Sequence, residues 1–309
     1  MIIESGWTKA IAYFPAALQM PLGRIRCPER IQEIRLRIGR NLHAVTGGAE
    51  FAVLQSGELV PEPAEGLLVS RQVLDTLFQN ACMHSVHSCQ AAIRSGYLTI
   101  AGGNRVGLCG TAVIQENRLD TLRAVGSMNV RIASARTGCA EKLVSDLMLQ
   151  TQQDGVLIAG APASGKTTIL RDMARILGGS RRIALMDERG ELAAVQNGVP
   201  QFDVGVQTDV FDGYPKAEGI EIAARVMSPQ WMICDEIGSM AEAEAMLQTA
   251  HTGTGMIASV HAGSIEELYE KPGIAKLIAA GVFRKAVMLG TGTKCGQVLQ
   301  IRSLRRGNS

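Results

Sequence analysis

The sequence predicts an α/β chain of two domains, a smaller N-terminal α+β domain over residues 1–139 and a larger domain over residues 140–309 built on a parallel sheet. Three observations predict it. The 309 residues suffice for two domains, at about 100–200 residues each. Hydrophobic residues make up 46% and charged residues 19%, with 34 glycines, the balance of a globular α/β protein. From residue 155 onward, short apolar runs alternate with stretches of helical period, the pattern of strand–helix–strand units.

In chain order, "IQEIRLRIGRNLHAVTGG" alternates at Ile34, Leu36 and Ile38 and then breaks into turn residues, which predicts a strand with basic residues on its open face. "RQVLDTLFQNA" predicts a helix continuing towards residue 94. "YLTIAGGNRVGLCGTAVI" predicts two strands joined by a Gly-Gly-Asn turn. "ASARTGCAEKLVSDLML" is a connector entering an amphipathic helix that turns Leu143, Leu147 and Leu149 to the core, and it sets the boundary near residue 140. Four strands follow, "GVLIAG", "RIALMD", "WMICDE" and "GMIASVH". Open parallel sheets bind ligands at the carboxyl ends of their strands. All four predicted strands end in a residue suited to phosphate chemistry.

The first end is "GAPASGKTTIL". Gly160, Gly165, Lys166 and Thr167 fit G-x-x-x-x-G-K-[ST], after a strand and at the start of a helix. Glycines let the backbone turn tightly and aim its N–H groups inward. The cradle for ATP phosphates is thus expected from Gly160, Ala161, Pro162, Ala163, Ser164, Gly165, Lys166, Thr167 and Thr168. Lys166 is expected on the β- and γ-phosphates and the Thr167 hydroxyl on Mg²⁺. In "ICDEIG", Asp235 is expected to support the Mg²⁺ shell and Glu236 to orient or deprotonate the attacking water. In "LMDERGE", Asp187, Glu188 and Glu191 can sit beside metal and nucleotide, with Arg189 pairing with them or meeting phosphate; the same letters also suit a capped turn closed by a salt bridge. His261, in "SVHAGS", can sense the γ-phosphate, and Ser264 with Glu267 reads as a capping box.

Other features limit the function. A net charge of +2 is not the strongly basic balance of a nucleic-acid binder. No apolar run approaches the roughly 18 residues of a membrane span. The N-terminus lacks the basic region of a signal peptide, which makes a cytoplasmic location the expectation. Seven scattered cysteines do not form a disulfide framework. In "CMHSVHSC", Cys82, His84, His87 and Cys89 have spacings that fit no standard zinc site. P-loop engines often take an arginine from outside the nucleotide's own lobe. Arg94, Arg105, Arg123, Arg131 and Arg136 are available, with Arg123 and Arg131 shortly before the boundary.

Together, the P-loop, "DERGE", "ICDEIG" and "TAHTGTGMIASVHAGS" resemble the secretion-ATPase superfamily, the traffic ATPases of type II and type IV secretion and the type IV pilus motors. "DERGE" resembles their acidic box and "SVHAGS" their histidine box. The departure is Asp235-Glu236, where that superfamily often has Gly-Glu. Within it, "GYLTIAGGNRVGLCGTAV", "SMNVRIA" and the long stretch from Val199 to Gly238 resemble the stage III sporulation AA family of endospore-forming bacteria. The resemblance implies a RecA-like P-loop NTPase domain hydrolysing ATP with Mg²⁺. It implies catalytic roles for Glu236, Lys166, Glu188 and His261, and a homo-hexameric ring. It further implies a place at the inner face of a mother-cell membrane, with the other stage III sporulation channel proteins as partners. Two alternatives remain at this level. One is a nucleic-acid-stimulated RecA-like ATPase, for which "DVGVQTDVFDGYPKAEG" reads as a loop long enough to line a pore, although with one lysine and several acids. The other is a nucleotide-gated scaffold.

Overall fold

The computed structural model describes residues 6–61, 65–86, 89–115, 117–133, 136–149, 154–250 and 252–304. The chain divides into two compact units, Met1–Ser134 with Gln196–Gln201, and Ala135–Val195 with Phe202–Ser309. Residues 135–139, assigned from sequence to the first domain, group with the second unit, and 196–201 group with the first.

The first unit is a seven-stranded antiparallel sheet with helices. Its helices are α1 (Gly6–Ile11), α2 (Ala16–Gly23), α3 (Arg71–Ala81) and α4 (Gln90–Arg94). Its strands are β1 (Ile31–Arg37), β2 (His43–Thr46), β3 (Ala49–Val53), β4 (Leu59–Val60), β5 (Tyr97–Ile100), β6 (Asn104–Gln115) and β7 (Arg118–Arg131). They lie in the order β4-β3-β2-β1-β7-β6-β5. The alternation in β1 works as expected: Ile34 and Leu36 are fully buried among Leu74, Leu77 and Val130. Arg35 and Arg37 lie on the other face and pair with Glu33 and Glu50 at 3.0–3.4 Å. β5 and β6 form the hairpin read from the Gly-Gly-Asn turn, with Gly102 at φ 80°.

The helix after residue 71 is shorter than expected. Ser70 caps it by accepting a hydrogen bond from the Val73 N–H (3.3 Å), and it ends at Ala81. Met83 and His84 then take left-handed φ of 48° and 59°, a turn that a continuous helix cannot hold. Cys82 is buried, and burial together with the neighbouring Cys89 pushes its thiol up to about 12. His84 is exposed, and His87 lies outside the described residues.

The second unit holds α5 (Glu141–Asp146), β8 (Val156–Gly160), α6 (Lys166–Leu177), β9 (Ile183–Asp187) and β10 (Thr208–Asp212). It continues with α7 (Lys216–Val226), β11 (Trp231–Cys234), α8 (Met240–Ala250), β12 (Gly255–His261), α9 (Glu267–Glu270) and α10 (Pro272–Ala279), and closes with β13 (Lys285–Leu289) and β14 (Val298–Ser303). The strand order is β10-β9-β11-β12-β8-β13-β14, parallel except for the final antiparallel pair. β8 explains why these strands read as unbroken apolar runs. Leu157 and Ala159 enter the core with Ile220, Met246 and Leu277, from α7, α8 and α10. Val156 and Ile158 enter the opposite core with Leu143, Ile169 and Met173, from α5 and α6. Both faces are covered, so both faces must be apolar.

The segment read as a pore-lining loop is different. Residues 208–212 form β10, an edge strand in register with β9, and α7 begins at Lys216. As an edge strand it is only partly buried, with Phe211 alone buried, and acids at 209 and 212 break up the apolar run.

Asp172 fastens α6 to the chain before α5. It is 3% exposed, accepts from the Gly138 N–H (3.1 Å) and the Ala140 N–H (2.7 Å), and pairs with Arg175 at 2.7 Å. Burial alone raises a carboxyl pKa; the amides and Arg175 outweigh it and hold Asp172 below its ordinary value. A lowered folded-state pKa contributes stability above the unfolded value, lost as pH falls through the folded one. Asp172→Ala is therefore expected to lower unfolding free energy by about 2–3 kcal/mol at pH 7. The deficit should shrink on titration below about pH 4, as measured by urea unfolding across pH.

Candidate active site

Sheet register assembles the site. β12 lies between β11 and β8, and His261 pairs with Gly160 at their carboxyl ends. The loop after β8, Ala161 to Gly165, then leads into α6. Ala163 and Gly165 have left-handed φ of 58° and 89°. Gly160 is required for another reason: a Cβ there would come within 2.4 Å of the fully buried Ser164 Oγ. Pro162 and Ala163 are exposed, Ala161 and Thr168 half-buried. The loop is braced from outside, since Gly296 N–H donates to Ser164 O (3.0 Å) and Cys295 Sγ donates to Ala163 O (3.2 Å).

Lys166 is buried, and its Nζ donates to the carbonyls of Gly160 and Ala161 (2.9 Å each) and to His261 Nδ1 (3.1 Å). Burial lowers its pKa, opposed by the charges of Asp235 and Glu236. At the next residue, Thr167 Oγ1 donates to Asp235 Oδ2 at 3.0 Å. Ser259 Oγ donates to the other oxygen, Asp235 Oδ1, at 2.6 Å. These hard oxygens, a hydroxyl and a carboxylate, are the donor types that suit Mg²⁺.

Glu236 has φ 48°, a conformation that costs a non-glycine residue on the order of 1–3 kcal/mol. Its peptide is held on both sides. Glu236 N–H donates to Ser259 Oγ (2.8 Å), and Lys216 Nζ donates to Glu236 O (2.8 Å). Its carboxylate lies between two cations or donors, His261 Nε2 at 2.5 Å from Oε1 and Arg189 Nη1 at 3.1 Å from Oε2. An ammonium can only donate. With His261 Nδ1 accepting from Lys166, the ring proton sits on Nε2, facing Glu236.

The acidic stretch after β9 divides in its roles. Asp187 is 2% exposed and accepts from the N–H groups of Glu191 (2.7 Å), Leu192 (3.0 Å) and Ala193 (2.8 Å). These bonds shape the loop, the capped turn that the same letters allowed, and Asp187 also lines the cleft of Asp235 and Glu236. Glu191 supplies its carbonyl to Arg171 Nη2 (2.6 Å). Glu188 Oε2 lies 3.5 Å from Lys216 Nζ and lines the same cleft as Asp235 and Glu236. Ser264 Oγ accepts from Glu267 N–H (3.3 Å), while the Glu267 carboxylate takes the N–H of Gly263 (2.6 Å).

Two residues here escape the sequence reading. Lys216 is 9% exposed among the Glu236 carbonyl, Glu188 and Glu242. Its signal was a lysine in the first turn of a helix, where the helix dipole disfavours a cation. Ser259 is fully buried, and its signal was a lone hydroxyl inside the apolar run of β12. In the first unit, Arg94 is held by Asp120 (2.5 Å), Arg105 lies over the Tyr97 ring (4.8 Å) and Arg131 pairs with Glu33 (3.3 Å). Arg123 and Arg136 are exposed.

A parallel sheet with a P-loop at the end of one strand, and with the P-loop hydroxyl bonded to the acid of a second, defines a RecA-like P-loop NTPase domain. Solved structures agree on the fold. The chain is similar to the pilus retraction motor PilT with bound ADP (TM-score 0.59, 15% identity, 84% of this chain and 74% of that one). It is also similar to the ATPase DotB of Legionella pneumophila (TM-score 0.53, 14% identity, 84% and 72%). Within this class, the chain belongs to the family of sporulation stage III protein AA, whose family model matches residues 18–309. It is 35% identical over 277 residues to the stage III sporulation protein AA of Bacillus subtilis (strain 168), covering 88% of this chain and 86% of that protein.

Proposed function

We propose that the protein is an Mg²⁺-dependent ATPase, a ring-forming motor that energises a sporulation channel between mother cell and forespore. The observation that carries the catalytic part is the contact of Thr167 Oγ1 with Asp235 Oδ2, with Glu236 next in sequence and held at the same strand ends. Lys166 and the P-loop amides bind the triphosphate. Thr167 and Asp235 hold Mg²⁺, which neutralises charge on the phosphates. Glu236 accepts the proton of the attacking water, and His261 and Glu188 position the groups around it. Preference for ATP over GTP rests on the lack of any guanine-reading motif in the sequence.

Membership of the sporulation family and likeness to secretion ATPases support the cellular part of this reading. In it, a homo-hexamer docks on the other stage III sporulation channel proteins at the inner face of the mother-cell membrane. No helix among the described residues is long and apolar enough to cross a membrane, so the motor would attach through partners.

The test is ATP hydrolysis by the purified protein with Mg²⁺, alone, with single- or double-stranded DNA, and with detergent-solubilised sporulation channel proteins. Stimulation by the channel proteins but not by DNA supports the motor. Stimulation by DNA alone replaces it with a nucleic-acid-driven ATPase. Binding without hydrolysis under every condition leaves a scaffold.

Lys216 offers a finer check, because it holds the Glu236 peptide through its carbonyl. Lys216→Met is expected to lower kcat by about 100-fold, the cost of misplacing a catalytic group by an ångström. ATP affinity should stay unchanged, as read by equilibrium binding beside steady-state kinetics.

A further inference from the structure

We propose that β14 of one copy of this chain pairs with β10 of the next, so that copies join head to tail through opposite edges of the same sheet. The inference deepens the ring-forming part of the function proposed above and rests on it for self-association.

The sheet of the second unit ends in β10 on one side and β14 on the other, and no further strand among the described residues pairs with either. An edge strand offers a row of unpaired N–H and C=O groups, which chains guard with charge, proline or cover. β14 has little of that guard. All six of its residues are exposed, on both faces, whereas β8 is buried on both. From Cys295 to Ile301 the chain carries no charge and no proline. Val298, Leu299 and Ile301 are large apolar side chains left in solvent, with Leu299 54% exposed. At the opposite edge, Val206 just before β10 is 90% exposed, and Tyr214 just after it is exposed too.

Charge selects which edge meets which. Residues 203–212 hold Asp203, Asp209 and Asp212 and no basic residue. Residues 294–304 hold Lys294 and Arg302 and no acid, and Arg305 and Arg306 follow in sequence. Two β14 strands, or two β10 strands, would set like charges side by side; one of each sets opposite charges together. Arg302 also pairs with Glu266 of its own chain, at the surface. Exposed pairs of this kind are weak, so the joint rests on the bare strand edge and charge chooses its partner.

Direction and face agree with this pairing. β14 alone runs against the other strands of the sheet. A neighbour continuing the sheet in the same sense therefore brings its β10 antiparallel to β14. With Arg302 opposite Asp209, Ser303 falls opposite Thr208 and Ile301 opposite Val210. Val210 packs on the core under α5 and α6, and Ile301 lies opposite Val287, a member of that same core. The apolar pair thus falls on one face. Such a joint links two sites. The turn entering β14 braces the P-loop through Gly296 and Cys295. β10 leads into α7, whose Lys216 holds the Glu236 carbonyl. Head-to-tail contacts close into a ring when their rotation permits.

Sedimentation velocity at low salt over a range of concentrations tests the proposal. The samples are wild type, Arg302→Glu, Asp209→Arg, the double variant and an equimolar mixture of the two single variants. Each single reversal should weaken association about tenfold, from lost attraction and added repulsion. The double variant and the mixture should both regain it, because every joint in an alternating mixture again pairs unlike charges. Recovery on mixing cannot come from repaired folding, since neither chain has changed. If wild type associates and neither reversal matters, the ring uses another surface and this inference alone fails. If Arg302→Glu weakens association and Asp209→Arg does not, β14 has a different partner and the inference is overturned. A wild-type chain that stays monomeric as its concentration rises removes the ring and this inference together.

Discussion

Glu236→Gln is expected to reduce ATP turnover by about 10³-fold while ATP binding stays within twofold of wild type. The amide keeps the size of the carboxylate and can still meet Arg189 or His261, but it cannot accept the proton of an attacking water. The backbone of residue 236 is fixed by Ser259 and Lys216, neither of which touches the side-chain carboxylate. The substitution therefore removes chemistry and leaves geometry in place. Single-turnover kinetics with a fluorescent nucleotide separate the two. A variant that hydrolyses ATP at the wild-type rate would remove Glu236 from the reaction.

The second large effect is expected at Lys166. Lys166→Met should weaken ATP binding by about 100-fold, the loss of a charged hydrogen bond to phosphate. Stability should move the other way. Burial holds the Lys166 ammonium below its ordinary pKa despite Asp235 and Glu236 nearby, so the fold at neutral pH carries a charge it would rather shed. For a lysine with a lowered folded-state pKa, the unfolded chain binds more protons, and stability rises as pH climbs through the window between the two values. Methionine keeps the apolar stem and removes the charge. The melting temperature of Lys166→Met at pH 7 is expected at or above that of wild type, and the rise in stability that wild type shows as pH climbs towards the free lysine value should flatten in the variant. Scanning calorimetry across pH checks both. A destabilised variant would show that the carbonyls of Gly160 and Ala161 depend on the ammonium they accept.

Much of this site is legible in the linear order of residues. Gly160, Gly165, Lys166 and Thr167 are close in sequence, and a strand–loop–helix with that spacing has few other ways to fold. Asp235, Glu236 and His261 are legible because each ends an apolar run, and parallel sheets gather strand ends on one edge. At Asp187 the same argument leaves two readings open. It too ends an apolar strand, and the structure shows its carboxylate accepting from three amides of its own loop, the capped turn. A strand end therefore indicates where a side chain lies, while the local backbone decides what it is free to bind.

Local chemistry in the sequence by itself determined the α/β class, the P-loop, the acids at 235 and 236 and the strand carrying His261, because periodicity and turn residues act over a few positions. Only the tertiary structure decided the partners. The strand order places β12 between β11 and β8, and this brings His261 to Lys166, 95 residues away, and Thr167 to Asp235, 68 residues away. It also brings Lys216 under the Glu236 peptide, and it makes residues 208–212 an edge strand where the letters suggested a loop. The physical reason is that hydrogen bonds between distant residues depend on sheet register and side-chain direction, which are set by burial of whole faces and leave no short-range trace in the chain.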